Sequence, residues 1–370
     1  MSDPQTPLLT TPLDALHRRL GGKMVPFAGY AMPVQYPAGI LAEHLHVRAK
    51  AGLFDVSHMG QAEIAGPGAA SWLETLVPGD IQGLGVGRTR YTVFTNGQGG
   101  ILDDLMVSKL AEDRLFVVVN AACKQADIAH LRAHLPAGLT LTELTDRALL
   151  ALQGPAAAAA MSGLAPTAGA MAFMSIAALD IGGIACLATR SGYTGEDGWE
   201  MSVPADKAEA VALRLLAADG VRPIGLGARD SLRLEAGLCL YGSDIDANTT
   251  PIEAGLAWII GKRRRAEGGF PGAAIVQRQL ADGPPRLRVG FRPLGRAPTR
   301  AHTEITDSVG NRLGEVTSGG FGPSLDGPLA MGYVPAAFAL RGTAVKLVVR
   351  GKPLDAEVVP MPFVPHRYHK

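Results

Sequence analysis

The apolar and polar positions of this 370-residue chain alternate between the two-residue period of strands and the longer period of helices. Two strand-like runs, Tyr91–Phe94 and Ile101–Val107, flank the turn signal Asn96-Gly97 and predict a β-hairpin. Amphipathic helices are predicted over residues 122–135 and 205–218, where apolar side chains recur every three or four positions. Because hairpin signals favour antiparallel pairing, the mixture predicts an α+β protein rather than a parallel α/β one.

The remaining segments predict shorter elements. Short helices are expected over 13–20, 39–51 and 69–77. Residues 24–33 are apolar but too rich in turn formers for a long element. Residues 266–285 are rich in glycine, alanine and proline, which predicts a linker between domains. Five strand-like runs between residues 287 and 359 then predict a small antiparallel barrel or sandwich.

Composition narrows the class of protein. Apolar residues are 47% and charged residues 19% of the chain, as in an ordinary globular protein, and the net charge of +1 gives no overall attraction to nucleic acid or membrane. No apolar stretch approaches the roughly 20 residues that span a bilayer. The first residues carry no basic-then-apolar leader, so a cytoplasmic location is expected. Cys123, Cys186 and Cys239 are widely spaced and predict reduced, buried thiols.

Two adjacent carboxylates, Asp103 and Asp104, lie inside the second strand of the predicted hairpin. Successive side chains of a strand point to opposite faces, so the two cannot serve the same environment. One of them is expected to face a cavity. The alternative, two solvated aspartates at a hairpin edge, stays open on these residues alone.

Other charged residues are candidates with equally plain structural alternatives. Arg229 and Arg233 lie four apart on one predicted helix face, which suits carboxylate recognition or pairing with neighbouring acids. His58 follows a strand-like run and is more typical of a structural histidine than of a catalyst. Residues 261–300 hold ten lysines and arginines against two acids, a local charge of +8 that marks either a solvated basic face or a docking surface.

Several stretches, read together and in order, resemble the glycine cleavage T-protein (aminomethyltransferase) family. The resemblance runs from about Thr6 to Tyr368, nearly the whole chain. The matching stretches are Phe54–Gly60, Gly99–Leu105, Ser191–Gly198, Gly225–Asp230, Arg233–Gly237, Glu315–Gly320 and Pro362–Pro365.

The resemblance implies three domains in a cloverleaf around a central folate pocket, with antiparallel sheets, flanking helices and a jelly-roll-like C-terminal β-barrel. A discontinuous first, folate-binding domain is expected over 1–52 and 140–250, and a second α+β domain carrying the catalytic aspartate over 53–139. A connecting segment over 251–285 and the barrel over 286–370 complete the expected division.

The resemblance also implies the reaction. A one-carbon unit carried as an aminomethyl group on the lipoyl thiol of the H protein passes to tetrahydrofolate, giving 5,10-methylenetetrahydrofolate, ammonia and the dihydrolipoyl H protein, without a metal. Asp104, rather than Asp103, aligns with the family's catalytic aspartate, which lies near the reacting folate nitrogens. A fixed carboxylate there can stabilise the iminium-like one-carbon unit and manage a proton.

Folate contacts follow from the same resemblance. Glu200 matches the carboxylate that accepts the paired N–H groups of the pterin edge, and Arg229 matches a folate-contacting arginine suited to glutamate carboxylates. Tyr368 matches a binding tyrosine of the C-terminal tail. Further pocket residues implied in this way are Tyr91, Asn120, Tyr193 and Met59.

The resemblance implies the H protein as partner. H proteins are typically acidic, so the candidates for docking it are the basic residues Lys262, Arg263, Arg264 and Arg265. Two alternatives remain: a folate-dependent demethylase of a small amine or sulfonium compound, and a non-catalytic folate-binding accessory protein of the same superfamily. Accessory members carry a cysteine-centred Lys-Gly-Cys-Tyr-x-Gly motif, whereas the corresponding stretch here, Asp230–Gly237, has no cysteine. The combined motifs favour the aminomethyltransferase.

Overall fold

A computed structural model describes residues 7–369. Its helices are α1 (Asp14–Arg19), α2 (Ile40–Ala49), α3 (Ala69–Leu73), α4 (Lys124–Ala133), α5 (Ala157–Ser162), α6 (Ala208–Leu216), α7 (Leu226–Glu235), α8 (Lys262–Glu267) and α9 (Ala273–Asp282). Its strands are β1 (Lys23–Phe27), β2 (Tyr30–Gln35), β3 (Ala51–Asp55), β4 (Gly60–Ala65), β5 (Thr89–Thr95), β6 (Ile101–Ala111), β7 (Arg114–Val119), β8 (Thr140–Glu143), β9 (Arg147–Gln153), β10 (Ile176–Asp180), β11 (Ala185–Thr189), β12 (Gly198–Pro204), β13 (Val221–Pro223), β14 (Arg286–Pro293), β15 (Glu304–Thr306), β16 (Arg312–Gly322), β17 (Gly327–Pro335), β18 (Ala344–Val349) and β19 (Lys352–Val359). Within the described range, no helix combines the length and apolarity needed to cross a membrane.

The first sheet has six strands in the order β10-β11-β12-β9-β3-β13, in which β13 pairs with β3 in parallel and the other neighbours are antiparallel. Alternate residues of β12, Trp199, Met201 and Val203, are fully buried in the core on one face. Glu200 lies between them and is only half-buried. The strand period therefore turns Glu200 toward the face away from this core.

The second sheet is antiparallel throughout, in the order β5-β6-β7-β4-β8. Along β6, Ile101, Asp103 and Leu105 are buried, whereas the alternating residues Asp104 and Met106 are half-buried. This confirms the predicted hairpin of β5 and β6 and puts the two aspartates on opposite faces.

A shared core joins the two sheets. It contains Phe116 and Val118 of β7, Leu149 and Ala151 of β9, and side chains of α2 and α7. Val118 pairs directly with Met106, and Ala151 with Glu200. Directly paired residues of neighbouring strands point to the same face. The Asp104 face of β6 and the Glu200 face of β12 therefore meet at this interface.

The third sheet is a closed six-stranded barrel in the order β14-β17-β16-β15-β18-β19, with β19 pairing back to β14. This confirms the predicted α+β class with a C-terminal antiparallel barrel. The strand-like runs missed β17, whose residues are buried almost without interruption. Ala330 and Val334 face the barrel core, whereas Leu329 and Met331 pack on Leu234 of α7, so the strand has two apolar faces and no visible alternation.

Residues 266–285, predicted as a linker between domains, contain regular structure. Residues 273–282 form α9, and this region shares a core with Val93 and Ile101 of the hairpin through Phe270 and Val276. Its glycines serve close packing rather than flexibility. Gly272 has φ of 76°, and a Cβ there would lie 2.2 Å from the backbone nitrogen of Gly99.

Strand pairing adds a hairpin near the start of the chain and crosses two of the expected domain boundaries. Residues 24–33, expected to hold no long element, contribute to the β1–β2 hairpin. Strand β3 crosses the boundary at 52/53 and belongs to the first sheet, and β8, placed in the first domain by the sequence, pairs with β4 of the second sheet. Each strand pairs where backbone hydrogen-bonding partners are available, and the local sequence does not specify those partners. The division into domains itself stays a prediction.

The hairpin loop is longer than the two-residue turn that Asn96-Gly97 suggested. The Asn96 side-chain oxygen accepts the backbone N–H groups of Gln98 and Gly100, and Gly99 adopts φ of 78°. A Cβ on Gly100 would lie 1.8 Å from the carbonyl oxygen of Ala247. The loop therefore packs against the segment after α7 and requires glycine at this position.

Candidate active site

Asp104 lies on β6 at the interface of the two sheets, beside the end of β7. Asn120, the residue after β7, donates from Nδ2 to Asp104 Oδ1 at 2.8 Å and to Asp103 Oδ1 at 3.0 Å. Burial first, and then the negative charge of Asp103, raise the pKa of Asp104 to about 7, while interactions with Tyr91 and Asn120 oppose the rise. The carboxyl group can therefore exchange a proton near neutral pH.

Two tyrosines border the aspartate. Burial and the neighbouring Asp104 hold the pKa of Tyr91 well above its ordinary value. The Tyr91 ring stacks on Trp258, with centroids 5.8 Å apart and an interplanar angle of 19°. Tyr193, from the loop before β12, donates its hydroxyl to the Cys239 carbonyl, and Asp104 is among the charges that act on it.

Glu200 and Arg229 form a second charged region of the interface. The Arg229 guanidinium, in the first turn of α7, lies 4.6 Å over the Tyr193 ring. Its Nη1 is buried without a hydrogen-bond partner, and it makes no ion pair within 4.0 Å in the described part of the chain. From the described residues, the Glu200 side chain accepts one hydrogen bond, donated by Ser191 Oγ at 3.3 Å. Burial raises the pKa of Glu200, and attraction to Arg229 opposes that rise.

This second region can hold a ligand with complementary polar groups. A carboxylate with free lone pairs accepts paired N–H groups, and an unpaired guanidinium donates to a carbonyl or a carboxylate. Buried polar groups are normally hydrogen-bonded, so an unpartnered arginine nitrogen beside a weakly bonded glutamate indicates a binding site.

Two other residues that the resemblance implied as folate contacts, Met59 and Tyr368, have no hydrogen bond, ion pair or ring contact with Asp104, Glu200 or Arg229 among residues 7–369. Met59 packs, half-buried, in the core shared by the two sheets, together with Met106. Tyr368 stacks on Phe173 at 4.3 Å, next to a tail residue, Arg367, that bonds to Glu196 at 2.6 Å.

His58 and the cysteines behave as structural groups. His58 is buried against Phe27 and Tyr30, and burial lowers its pKa to about 4, so the ring is neutral at pH 7. Its Nδ1 has no hydrogen-bond partner among the residues that the structure describes. All three cysteines are free. Cys186 and Cys239 are buried as expected, whereas Cys123 is half-buried.

The basic stretch forms α8 and is largely occupied by contacts within the chain. Arg263 bonds to Glu74 at 2.5 Å and to Asp80 and Glu267 at 2.7 Å. Arg264 is 4% exposed and donates to the Glu74 carbonyl at 2.6 Å, so it cannot belong to a docking surface. A run of arginines in sequence does not distinguish a solvated cation from one that joins two segments.

Asp127 was missed by the sequence reasoning. It is 3% exposed on α4, where burial and the neighbouring Asp103 raise its pKa to about 10, so it is protonated at neutral pH. A signal was present: Asp127 lies four residues before Leu131 and next to Ile128, on the buried side of the helix. An acid on an apolar stripe is a candidate for a buried, functional group.

Comparisons with known proteins cover nearly the whole chain. Residues 13–264 match the family described as "GCVT N-terminal domain", and residues 286–365 match "Glycine cleavage T-protein C-terminal barrel domain". The chain is 49% identical to the mitochondrial aminomethyltransferase of Pisum sativum over 99% of this chain and 92% of that protein. It is 48% identical to that of Gallus gallus over 98% and 94%. The crystal structure of the glycine cleavage system aminomethyltransferase T from Bartonella henselae superposes with a TM-score of 0.93, at 47% identity and covering 98% of this chain and 100% of that one.

Proposed function

Because the chain belongs to the glycine cleavage T-protein family and is an aminomethyltransferase, we propose that it moves the one-carbon unit from the S-aminomethyl-dihydrolipoyl H protein to tetrahydrofolate. The products are 5,10-methylenetetrahydrofolate, ammonia and the dihydrolipoyl H protein. The observation that carries this proposal is the meeting of Asp104 with Glu200 and Arg229 at one interface between two sheets.

Asp104 is proposed as the catalytic group. The carbon being transferred passes through an iminium-like cation as ammonia leaves, and a fixed carboxylate stabilises that charge. The same carboxylate can take the proton released as the folate nitrogen attacks. With its pKa raised to about 7, Asp104 is ionised above that pH and is a stronger base than an ordinary aspartate.

Glu200 and Arg229 are proposed to hold one end of the folate. Glu200 suits the paired N–H groups of the pterin. Arg229 was expected to meet a glutamate carboxylate, yet Glu200 is the strongest charged influence on its pKa. We therefore assign both residues to the pterin end, with the Arg229 guanidinium donating to the pterin carbonyl. If so, Arg229→Met weakens the binding of a tetrahydropterin without a glutamyl tail as strongly as it weakens the binding of tetrahydrofolate. If only tetrahydrofolate loses affinity, Arg229 contacts the glutamate end of the folate instead.

The H protein is proposed to approach beside Trp258. This indole is 64% exposed, and it stacks on Tyr91, the neighbour of Asp104. Lys262 and Arg265 of the basic stretch are exposed nearby along the chain, and Arg265 donates to the Ala257 and Ile260 carbonyls that flank the indole. Reversing both charges should raise the KM for the H protein and weaken its salt dependence. If the KM and its salt dependence were both unchanged, this surface would not dock the H protein.

A reconstituted assay tests the function itself. The aminomethyl adduct of the lipoylated H protein is mixed with tetrahydrofolate and the enzyme, and methylenetetrahydrofolate and ammonia are measured. Both should form in equal amounts. The absence of methylenetetrahydrofolate with this donor, together with its formation from a methylated amine, would replace the proposal by a demethylase. The cytoplasmic location expected from the sequence stays a prediction, since the plant and animal relatives are mitochondrial proteins.

A further inference from the structure

One side chain, Asn120, joins two carboxylates that point to opposite faces of β6. Its Nδ2 donates to Asp103 Oδ1 at 3.0 Å, to Asp104 Oδ1 at 2.8 Å and to the Asp104 carbonyl at 3.1 Å. Its backbone N–H donates to Asp103 Oδ2 at 3.1 Å. The end of β7 makes this possible because Asn120 follows Val119, which pairs with Leu105 next to the aspartates.

The donors of this amide are fully used. A side-chain amide has two N–H groups, and here they serve three acceptors. The nitrogen therefore has no donor left for a substrate, and only the amide oxygen remains. The role of folate contact that the resemblance gave Asn120 does not account for this geometry.

Asp103 is a buried charge placed behind Asp104. It has no exposed area, and no cation lies within 4.0 Å of it in the described chain. Burial and then Asp103 raise the pKa of two groups of the α4 region, Asp127 and the thiol Cys123. After burial, the charge of Asp103 is the largest influence that raises the pKa of Asp104.

The titratable groups that act on Asp104 come from every element around it. They are Asp103 of β6, Tyr91 of β5, Tyr193 of the loop before β12, Cys123 and Asp127 at and on α4, and Cys239 after α7. Asp103 disfavours the Asp104 carboxylate by like-charge repulsion. Asn120 favours it by donating a hydrogen bond.

We propose that Asn120 and Asp103 are a pair of positioning residues that act on Asp104 with opposite sign. Asn120 orients the Asp104 carboxylate and stabilises its charge, whereas Asp103 keeps it basic. Neither residue contacts the folate through a donor. The inference rests on the proposed catalytic role of Asp104 and adds to it the means by which that group is tuned.

The test uses two variants whose effects on pH dependence should be opposite. Asp103→Asn removes the neighbouring charge, so the acidic limb of the kcat profile should move to lower pH by about one unit. Asn120→Ala removes the donor, so the limb should move to higher pH and kcat should fall, while the KM for tetrahydrofolate stays within about twofold. The matched control is Ser108→Ala on β6, the strand of the two aspartates, which removes a buried hydrogen bond to Thr89 of β5. It should change neither the acidic limb nor kcat.

A second readout separates this inference from the proposed reaction. The ionisation of Asp104 is followed by carbon NMR of labelled aspartate in the resting protein, assigned with Asp104→Asn, which requires no turnover. The same opposite displacements should appear even if the assayed donor proves wrong. Displacements of the same sign in the two variants would overturn the proposal. So would a tenfold rise in the KM for tetrahydrofolate in Asn120→Ala with an unmoved limb, which would make Asn120 a folate contact.

Discussion

The two charged regions of the interface are built differently. Around Asp104 the hydrogen-bond donors are used within the protein, since Asn120 serves both aspartates. Around Glu200 they are not: within residues 7–369, the glutamate accepts a single long hydrogen bond, and Arg229 Nη1 is buried without a partner. The first region is organised before any substrate binds, whereas the second leaves charges for a ligand to satisfy.

The difference separates two kinds of energetic cost. A catalytic carboxylate held in place reorganises little during the reaction, so its stabilising effect is realised in the transition state. A buried charge without a full set of partners destabilises the free protein and is compensated when a complementary ligand binds. Loss of the first should lower kcat, and loss of the second should weaken binding.

The largest expected effect is that of Asp104→Asn. The amide keeps the shape but can neither take a proton nor carry the negative charge, so kcat should fall by about 10²–10⁴-fold. Tetrahydrofolate affinity, measured by equilibrium fluorescence titration, should change by less than about threefold. Asp103→Asn should lose less kcat than Asp104→Asn, and a greater loss of kcat in that stably folded variant would reverse the assignment of the two faces.

Glu200→Gln should act on binding first. The neutral amide loses charge-assisted acceptance of the pterin N–H groups, so the Kd for tetrahydrofolate should rise by roughly 10–100-fold. At saturating tetrahydrofolate, the rate should stay within about fivefold of the original. Unchanged affinity with a collapsed rate would show that the comparison between the two regions is wrong.

The pH dependence should report the first region alone. Because burial and Asp103 raise the pKa of Asp104 to about 7, the active carboxylate is lost as pH falls through that value. Activity at saturating substrates should therefore drop about tenfold for each unit below pH 6. An acidic limb near pH 4, typical of an ordinary aspartate, would exclude Asp104 as the titrating base.

The smallest effects are expected outside the interface, in α8. Arg264→Ala removes a buried donor to Glu74 and should lower the Tm by several degrees without changing the H-protein KM. Lys262→Glu, in the same helix but exposed, should leave the Tm unchanged and raise that KM about two- to threefold. The reverse pattern would restore the whole basic stretch as a docking surface.

Local periodicity predicted much of this arrangement. The opposite faces of Asp103 and Asp104 follow from the strand period, and the β5–β6 hairpin follows from its apolar runs and turn signal. What failed depends on contacts distant in sequence. Strand β17 lost its alternation because both faces are covered, and the composition of 266–285 did not show that Gly272 packs on the hairpin loop.

The site shows the same limit. The motifs proposed Asp104, Glu200 and Arg229 as site residues, but the bonds made by Asn120 join residues 16 and 17 positions apart and appear only once β6 and β7 pair. The burial of Arg264 depends on Glu74, 190 residues away. Charge in a sequence shows which groups are present, and only packing shows which of them are already partnered.

The double variant of Asp104→Asn with Glu200→Gln tests the central claim most directly. If one region performs the chemistry and the other holds the folate, the double variant should have the single-turnover rate of Asp104→Asn and the tetrahydrofolate Kd of Glu200→Gln. The measurement is the single-turnover rate at saturating tetrahydrofolate, with the Kd taken on the same protein. A Kd or a rate that departs from those single-variant values by more than about tenfold would contradict the division between a preorganised catalytic region and a ligand-dependent binding region.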